Sequence, residues 1–515
     1  MDTSNWQKCL EFFHRCQKLL FPIKKSEIKV FTPLFLLYFC LSFIYNGLRP
    51  LKVSLVMTAS PAGAEVIPFL KVWGIIPGAL LFTWLFAFLS RKVNREQTFY
   101  ILISIFLSYY FLFGTYLLPA SQEVSLTVLA DYLREHLPGG FRGFISMLEY
   151  WHLSLFYVLC EIWSSCVMFV LFWGFVNEVT PMESAGRFYP LYNLGGNLAS
   201  TFVGLMVTNF SKNSQGSEAN FAYSIIILIF GCGIFAIALY RYVTRILKSR
   251  QSDELTIGQA KARKKSKEGK VSFTLGECFS HLLKSRYLLY LLVLVIAYNL
   301  VFNLIDVMWS QKVKDFYGRD WVRMTGFMGQ VTTMKGVISS VLVFVSHIII
   351  RKFGWKKATL ITPLSILVTS FVFFPLVSFG DSPLLEGLVT ELFSTSVLWI
   401  AVLTGSVQNS LTRGTKYSIY DSVKEMAFIP LSTDLKRKGK AVIDGVASRL
   451  GKSSGSIFYM ILLPICGSLQ ATIPYISVIA IVVTLFWVYS IVSLDTLMKQ
   501  EIAKQPDAKE QDHTS

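Results

Sequence analysis

The chain has 515 residues, of which 53% are hydrophobic, and its mean hydropathy is +0.51. A soluble protein of this length cannot bury that much apolar surface, so a water-soluble enzyme is excluded and a membrane protein is expected. The net charge of +17 would also fit a nucleic-acid-binding protein. The basic residues, however, gather in alternate loops between apolar runs, as membrane topology requires. We therefore expect a lipid bilayer around the chain and no nucleic acid as a partner.

About 12 apolar runs follow one another along the chain, each long enough to cross the hydrocarbon core of a bilayer. Backbone groups in lipid must hydrogen-bond within their own segment, so the runs predict the helices of an all-α integral membrane protein. They are residues 31–51, 65–89, 98–118, 150–176, 188–209, 221–242, 287–309, 326–349, 358–379, 387–409, 453–470 and 472–494.

A basic segment divides the runs into two sets of six. It contains Lys261-Ala-Arg-Lys-Lys-Ser-Lys and no apolar stretch long enough to span, which is typical of a solvated linker beside anionic lipid. The predicted parts are a cytoplasmic amphipathic N-terminus (1–30), a six-helix half (31–244), a basic cytoplasmic linker (245–286), a second six-helix half (287–495) and a polar C-terminal tail (496–515).

Two segments between runs are predicted to have structure of their own. Residues 412–450 are rich in lysine and have no counterpart in the first half, which indicates a cytoplasmic insertion. Residues 121–137 place Leu126, Leu129, Leu133 and Leu137 three or four positions apart. That stripe predicts an amphipathic helix on the outer membrane surface.

Most of the 49 lysines and arginines fall in loops on one side of the predicted membrane. The excess of positive charge places both termini in the cytoplasm. The eight cysteines are scattered and the histidines form no cluster, so we expect no disulfide, no metal, no cofactor and no enzymatic centre. Leu450-Gly-Lys-Ser-Ser resembles a phosphate-binding loop only superficially, because that motif needs a glycine where Val446 stands.

The two halves resemble each other in sequence. Glu161-Ile-Trp-Ser-Ser-Cys-Val-Met-Phe matches Glu391-Leu-Phe-Ser-Thr-Ser-Val-Leu-Trp, and Tyr45-Asn46 matches Tyr298-Asn299. Six runs plus six in the same orientation predict two parallel repeats. This is the major-facilitator arrangement, in which a transported substrate binds between the halves near the membrane midplane.

Ionisable side chains inside the runs cost about 2.5–3.5 kcal/mol each and usually face a cavity or a partner. They are Lys52, Lys71, Glu161, Asp306, Lys335, Glu391 and Lys452. Lys71 and Glu391 lie near run boundaries, where the side chain can reach water, and Lys335 fits a structural partner of a carboxylate equally well. We favour a functional role for Lys52, Glu161, Asp306 and Lys452. Tyr45 and Trp163 are candidates for stacking on a flat ring such as a nucleobase, with packing as the alternative.

Several motifs are similar to those of the ATP/ADP translocase family of chlamydiae, rickettsiae and plastids. They are Arg187-Phe-Tyr-Pro-Leu-Tyr, Lys416-Tyr-Ser-Ile-Tyr-Asp, Lys424-Glu-Met-Ala-Phe-Ile-Pro-Leu, Lys438-Gly-Lys-Ala and Leu450-Gly-Lys-Ser-Ser-Gly. The resemblance covers nearly all of the chain. It implies a twelve-helix carrier that moves nucleotides across an inner membrane. It also implies that charged residues of that site fall on Lys52, Glu161, Asp306 and either Lys452 or Lys440.

The chain departs from the family pattern at two of these positions. Family exchangers have acidic residues beside the first lysine, whereas this chain reads Arg49-Pro-Leu-Lys52-Val-Ser. The carboxylate at Asp306 is usually a glutamate. The resemblance therefore leaves exchange and proton-coupled uptake both open.

The sequence as a whole predicts a transporter of ATP, ADP or other nucleotides in the inner membrane of an intracellular bacterium, working by alternating access. One alternative is a proton-coupled carrier of another phosphorylated anion. The other is a nucleotide-binding membrane receptor without transport activity.

Overall fold

The computed structural model describes residues 23–24, 27–214, 217–256, 285–440, 442–443 and 448–503. The predicted tail from residue 504 onward, most of the linker and most of the N-terminal segment lie outside the described residues. The helices of the first half are α1 (Ile28–Ala59), α2 (Gly63–Lys92), α3 (Arg95–Leu117), α4 (Thr127–His136), α5 (Arg142–Glu149), α6 (Trp151–Val179), α7 (Met182–Asn213) and α8 (Glu218–Thr256).

The second half continues the same all-helical pattern. Its helices are α9 (Arg286–Tyr317), α10 (Trp321–Ser346), α11 (Ile348–Ser378), α12 (Pro383–Phe393), α13 (Val397–Met426), α14 (Thr433–Lys440), α15 (Ser448–Cys466) and α16 (Leu469–Ala503). Helices α10 and α11 belong to one helical run that leaves helical geometry at Gly354, where φ is 77°. Helix α1 begins at Ile28 and α16 ends at Ala503. We call the end of the helix bundle at which these two residues lie the terminal side, and the opposite end the distal side.

Nine helical segments of the described chain are long and apolar enough to cross a membrane, or ten if the bent pair α12 and α13 forms one span. The predicted run 188–209 is also helical, inside α7, and the predicted run 453–470 is helical in α15 as far as Cys466. Helix α7 is less apolar than the others because glycines and polar residues occupy much of its length, and the apolar part of α15 is short, Ser453–Cys466. An all-α membrane fold is thereby confirmed.

Several predicted boundaries differ in the structure. The run 387–409 is not one straight helix, because the chain bends by 74° between α12 and α13 and Ser394 adopts a left-handed conformation with φ 54°. Helix α13 continues to Met426, so residues 412–426 extend a predicted span and do not begin an insertion. Helix α8 likewise continues to Thr256, into the first part of the predicted linker. Helix α16 continues to Ala503, into the predicted tail. Helices α8, α13 and α16 thus outlast their apolar runs, which hydropathy alone cannot show.

Helices α7 and α10 bring the two halves together through residues without large side chains. A Cβ atom on Gly204 would lie 2.5 Å from the Gly329 carbonyl oxygen, and one on Gly336 would lie 2.7 Å from the Asn197 carbonyl oxygen. The Ser211 hydroxyl donates to the Val322 carbonyl at 2.9 Å. Glycine permits this backbone approach, as it does in other membrane helix pairs.

Further hydrogen bonds join the halves at the distal side. The Ala64 N–H donates to Gln311 Oε1 at 2.8 Å, and the Leu469 N–H donates to Glu65 Oε1 at 2.9 Å. Among the described residues, the hydrogen bonds between halves lie in the middle of the helices and at this distal end. The two halves are therefore packed together on the distal side.

At the terminal side, Glu27 connects the start of α1 to the start of α7. Its carboxylate accepts hydrogen bonds from Arg187 at 2.7 and 3.0 Å, from Ser184 Oγ at 3.1 Å and from the Lys24 N–H at 2.9 Å. The Arg187 guanidinium, followed by the Lys24 N–H, lowers the pKa of the Glu27 carboxyl from 4.5 to about 2. The contact therefore contributes stability fully above about pH 4.5 and loses it as the pH falls toward 2.

We expect Arg187→Gln to move this loss of stability to higher pH, because the Glu27 pKa then returns toward 4.5. At about pH 3.5, Glu27 is mostly ionised in the wild type and mostly protonated in the variant. Hydrogen exchange of residues 27–35, corrected for its intrinsic pH dependence, should show lower protection in the variant at that pH and similar protection at neutral pH. Identical pH profiles in the two proteins would contradict this account of Glu27.

Candidate functional site

An ion pair links α1 to α6 in the first half. Lys52 Nζ contacts Glu161 Oε1 and lies 4.3 Å from the centroid of the Tyr157 ring. The Lys52 side chain is only 1% exposed, whereas that of Glu161 is 27% exposed. Lys52 is thus satisfied inside the half, and Glu161 is the accessible member of the pair.

The second half contains a corresponding pair between α9 and α13. Asp306 Oδ1 accepts a hydrogen bond from Asn409 Nδ2 at 2.6 Å and lies 3.4 Å from Arg413 Nη2. The Arg413 guanidinium also stacks 4.3 Å over the Phe302 ring. A small cavity lies beside these groups, lined in part by Phe302, Asp306, Trp309 and Asn409.

The two pairs join corresponding helices with opposite polarity. In the first half the cation, Lys52, comes from the first span and the carboxylate from the fourth. In the second half the carboxylate, Asp306, comes from the first span and the cation, Arg413, from the fourth. Removing one member would leave a buried charge unpaired, which costs more than the pair contributes.

Two lysines make hydrogen bonds across the boundary between the halves. Lys71 of α2 donates to Asn303 Oδ1 of α9 at 2.6 Å, and Lys335 of α10 donates to Asn46 Oδ1 of α1 at 3.0 Å. Because α2 and α10 are the second spans of their halves, the two contacts are reciprocal. Neither of these hydrogen bonds neutralises the ammonium charge, since asparagine is uncharged.

Arg49 is a further basic residue near these lysines. It is half-buried on α1 and within electrostatic range of Glu161 and Asp306, one carboxylate from each half. It is also within electrostatic range of Lys71 and Lys335.

Together these residues form what we call the central charge cluster. Its members are Arg49, Lys52, Lys71, Glu161, Asp306, Lys335 and Arg413. Five formal positive charges face two negative ones, so the cluster has an excess of three. Such an excess at membrane depth fits a polyanion, because unpaired charges there are costly.

The sequence candidates occupy different surroundings. Lys52, Glu161 and Asp306 belong to the central charge cluster, and Tyr45 is half-buried beside it, within electrostatic range of Glu161 and Arg49. Trp163 is fully buried in the first half, where its indole N–H donates to the Leu41 carbonyl at 3.2 Å. Stacking of Trp163 on a ligand is therefore contradicted, because no part of its ring is accessible.

The other candidates lie away from the cluster or outside the described side chains. Glu391 is exposed on α12, before the bend. Lys440 contacts Glu425 and lies over the Phe428 ring on the terminal side. Lys452 belongs to α15 and its side chain is outside the described part of the chain. Helix α15 itself packs closely on α9, since a Cβ on Gly455 would lie 2.8 Å from Asn303 Cβ.

Sequence reasoning missed two members of the cluster, Arg49 and Arg413. Arg49 lies inside the first apolar run, and Arg413 lies in the lysine-rich stretch 412–450, which the sequence predicts to be an insertion. The polar residues Asn409 and Arg413 are four positions apart, however, and so lie on one face of a helix. That periodicity indicates that the helix continues past the apolar run.

Comparison with known proteins identifies the family. A family model described as "TLC ATP/ADP transporter" matches residues 6–498. The chain belongs to the TLC ATP/ADP transporter family. Because this family consists of carriers, the prediction that the chain is not an enzyme is confirmed. The prediction that it is a multi-pass membrane protein is confirmed as well.

Relatives from the TLC family cover nearly the whole chain. ADP,ATP carrier protein 2 of Chlamydia pneumoniae is 40% identical over 497 residues, which cover 92% of this chain and 90% of the relative. ADP,ATP carrier protein 1 of the Arabidopsis thaliana chloroplast is 35% identical over 502 residues, covering 96% and 78%.

Solved structures confirm the major-facilitator type of fold. The nucleoside transporter NupG matches with a TM-score of 0.52 at 10% identity, covering 90% of this chain and 99% of its own. A bacterial homologue of the iron transporter ferroportin matches with a TM-score of 0.55 at 11% identity, covering 92% and 99%. At these identities the likeness concerns the fold alone.

Proposed function

We propose that this chain is a nucleotide carrier that moves ATP and ADP, or closely related nucleotides, across a membrane by alternating access. The observation that carries the proposal is the central charge cluster, with its excess of positive charge between the two halves of a transporter fold. A nucleoside di- or triphosphate supplies several negative charges in a short chain. Membership in the TLC family supports the same substrate class.

We also propose that the chain lies in a bacterial inner membrane with both termini in the cytoplasm. The distribution of lysine and arginine supports this orientation, since basic loops remain on the cytoplasmic side. With that orientation, the packed distal side faces away from the cytoplasm. The conformation described here then has its substrate site on the cytoplasmic side of the packed contacts.

Exchange is the mode that the cluster supports best. Glu161 and Asp306 each contact a basic residue, Lys52 and Arg413. A carboxylate paired in this way needs no proton to remain in the membrane interior. Proton-coupled uptake would require one of these pairs to open and its carboxylate to take up a proton.

The test is uptake of labelled ATP by intact bacterial cells that express the chain, with and without a protonophore. A chase with unlabelled ADP follows. We expect the chase to release the label and the protonophore to leave uptake unchanged, since both follow from exchange. Collapse of uptake by the protonophore, without release on the chase, would overturn exchange in favour of proton symport.

The same cells distinguish the two other candidates. Competition by nucleotides with different bases should vary with the base if the substrate is a nucleotide. Equal inhibition by sugar phosphates and nucleotides would indicate a general carrier of phosphorylated anions. Binding of ATP to purified protein without uptake into vesicles would indicate a receptor.

A further inference from the structure

Lys71, Arg49 and Lys335 form a group of cations that none of the sequence motifs assigns to substrate binding. Arg49 is within electrostatic range of both lysines. Lys71 and Arg49 belong to the first half and Lys335 to the second, and each lysine makes a hydrogen bond to the opposite half. The three cations therefore lie at the boundary between the halves.

The two lysines of this group have partners of a different kind from those of Lys52 and Arg413. Lys52 and Arg413 contact carboxylates of their own halves, Glu161 and Asp306. The cross-boundary lysines instead donate to the neutral amides of Asn303 and Asn46. Lys335 is 7% exposed, so its charge lies in the protein interior with an uncharged acceptor.

We infer that Lys71, Arg49 and Lys335 bind the phosphate chain of the substrate, with Asn303 and Asn46 holding the lysines in the empty site. The inference rests on the proposed function and assigns the phosphate-binding side chains within it. A lysine that donates to an amide exchanges that neutral oxygen for a charged phosphate oxygen, which forms the stronger hydrogen bond. Arginine recognises phosphate in a bidentate manner and lysine as a point charge.

This assignment divides the cluster into two kinds of cation. Lys52 and Arg413 keep their carboxylate partners and position the helices of each half. Lys71, Arg49 and Lys335 come from both halves, so a phosphate chain held by all three joins the halves. Binding of the substrate therefore also draws the two halves together.

The test uses the full chain purified in detergent and measures binding of adenosine tri-, di- and monophosphate by ligand-dependent thermal shift. Lys71→Gln and Lys335→Gln should each weaken triphosphate binding about 10- to 100-fold, the range for a lost charge-assisted hydrogen bond. Monophosphate binding should weaken less than triphosphate binding in both variants, because a single phosphate offers fewer charged oxygens to the three cations. A purely structural role would weaken all three nucleotides alike.

Asn46→Asp is a second variant, which leaves both lysines in place. It gives Lys335 a carboxylate partner and so lowers the net positive charge of the site, while the hydrogen bond from Asn46 Nδ2 to the Ser42 carbonyl is lost. We expect the same loss of triphosphate binding, with a melting temperature near that of the wild type in the absence of ligand because the new ion pair offsets the lost hydrogen bond. Lys335→Arg, which keeps the charge, should retain most binding. Lys312→Gln on α9 removes a lysine whose ammonium contacts Gln470 and Asp315, and should have no effect.

Two results would overturn the inference while the wild type still binds nucleotide. One is unchanged triphosphate affinity in either lysine variant. The other is an equal loss for mono- and triphosphate in both. A wild type that binds none of the three nucleotides would instead contradict the proposed function, so the two failures are distinguishable.

Discussion

Lys52→Ala is expected to abolish nucleotide uptake, by about 100-fold or more, because it leaves the Glu161 carboxylate without its partner in the membrane interior. Removing one member of a buried ion pair costs about 3–5 kcal/mol, well above the 1.4 kcal/mol that corresponds to a tenfold effect. Lys52 is 1% exposed and also lies against the Tyr157 ring, so its removal leaves a gap inside the first half as well as an unpaired carboxylate. Uptake by cells and the melting temperature of the purified variant are the two measurements.

A double variant separates the structural role of the pair from its role in transport. Lys52→Met with Glu161→Gln removes both charges, and replacing a buried pair by neutral residues costs far less stability than breaking it. We expect the double variant to melt near the wild type while still failing to transport. Lys499→Ala is the matched control, since Lys499 also contacts a carboxylate, Asp495, but is 71% exposed. Normal uptake by Lys52→Ala would remove this pair from the mechanism.

Gly204→Ala and Gly336→Ala are expected to disrupt the contact between the halves, and each should lower both stability and uptake. The added Cβ would meet backbone atoms of the facing helix, which cannot rotate away as a side chain can: the Gly329 carbonyl at 2.5 Å and the Thr201 nitrogen at 2.7 Å. Forcing extra atoms into a packed site costs about 1–3 kcal/mol. Thermal unfolding and uptake of the two variants measure the effect.

Gly231→Ala provides the control for these two substitutions. It makes the same change in helix α8, where a Cβ would have nothing within 4 Å. Because alanine favours helix more than glycine does, this variant should be as stable as the wild type or slightly more so. If Gly204→Ala and Gly336→Ala behave like Gly231→Ala, the close approach of α7 to α10 is not required for transport.

The parts of the fold that the sequence predicted are those with a strong energetic signal. A long apolar run must be helical in lipid, and a charge inside such a run is costly wherever it points. Lys52, Glu161 and Asp306 were found for this reason, and the structure brings all three to the central charge cluster. The matching Tyr45-Asn46 and Tyr298-Asn299 likewise predicted two similar halves.

The features that were missed depend on which way a side chain points. Trp163 and Tyr45 both lie in apolar runs, yet Trp163 is enclosed in the first half and Tyr45 lies beside the cluster. Periodicity does not distinguish these cases, because a helix in lipid is apolar on most faces. The bend at Ser394 was missed for a different reason. A left-handed backbone conformation is usually marked by a glycine in the sequence, and here a serine adopts it.

The location of the ion pairs within single halves bears on the kinetics of the transport cycle. When the halves rotate, Lys52–Glu161 and Arg413–Asp306 travel as neutral units, and no ion pair has to break. Rotation must instead break the contacts of Lys71 and Lys335 with amides of the opposite half, together with the hydrogen bonds of the distal side. An unloaded carrier that breaks them carries two ammonium groups through the transition without acceptors, whereas a loaded carrier keeps both on phosphate oxygens. We therefore expect return without cargo to be the slow step, so that the flux of nucleotide in one direction depends on the concentration of nucleotide on the other side.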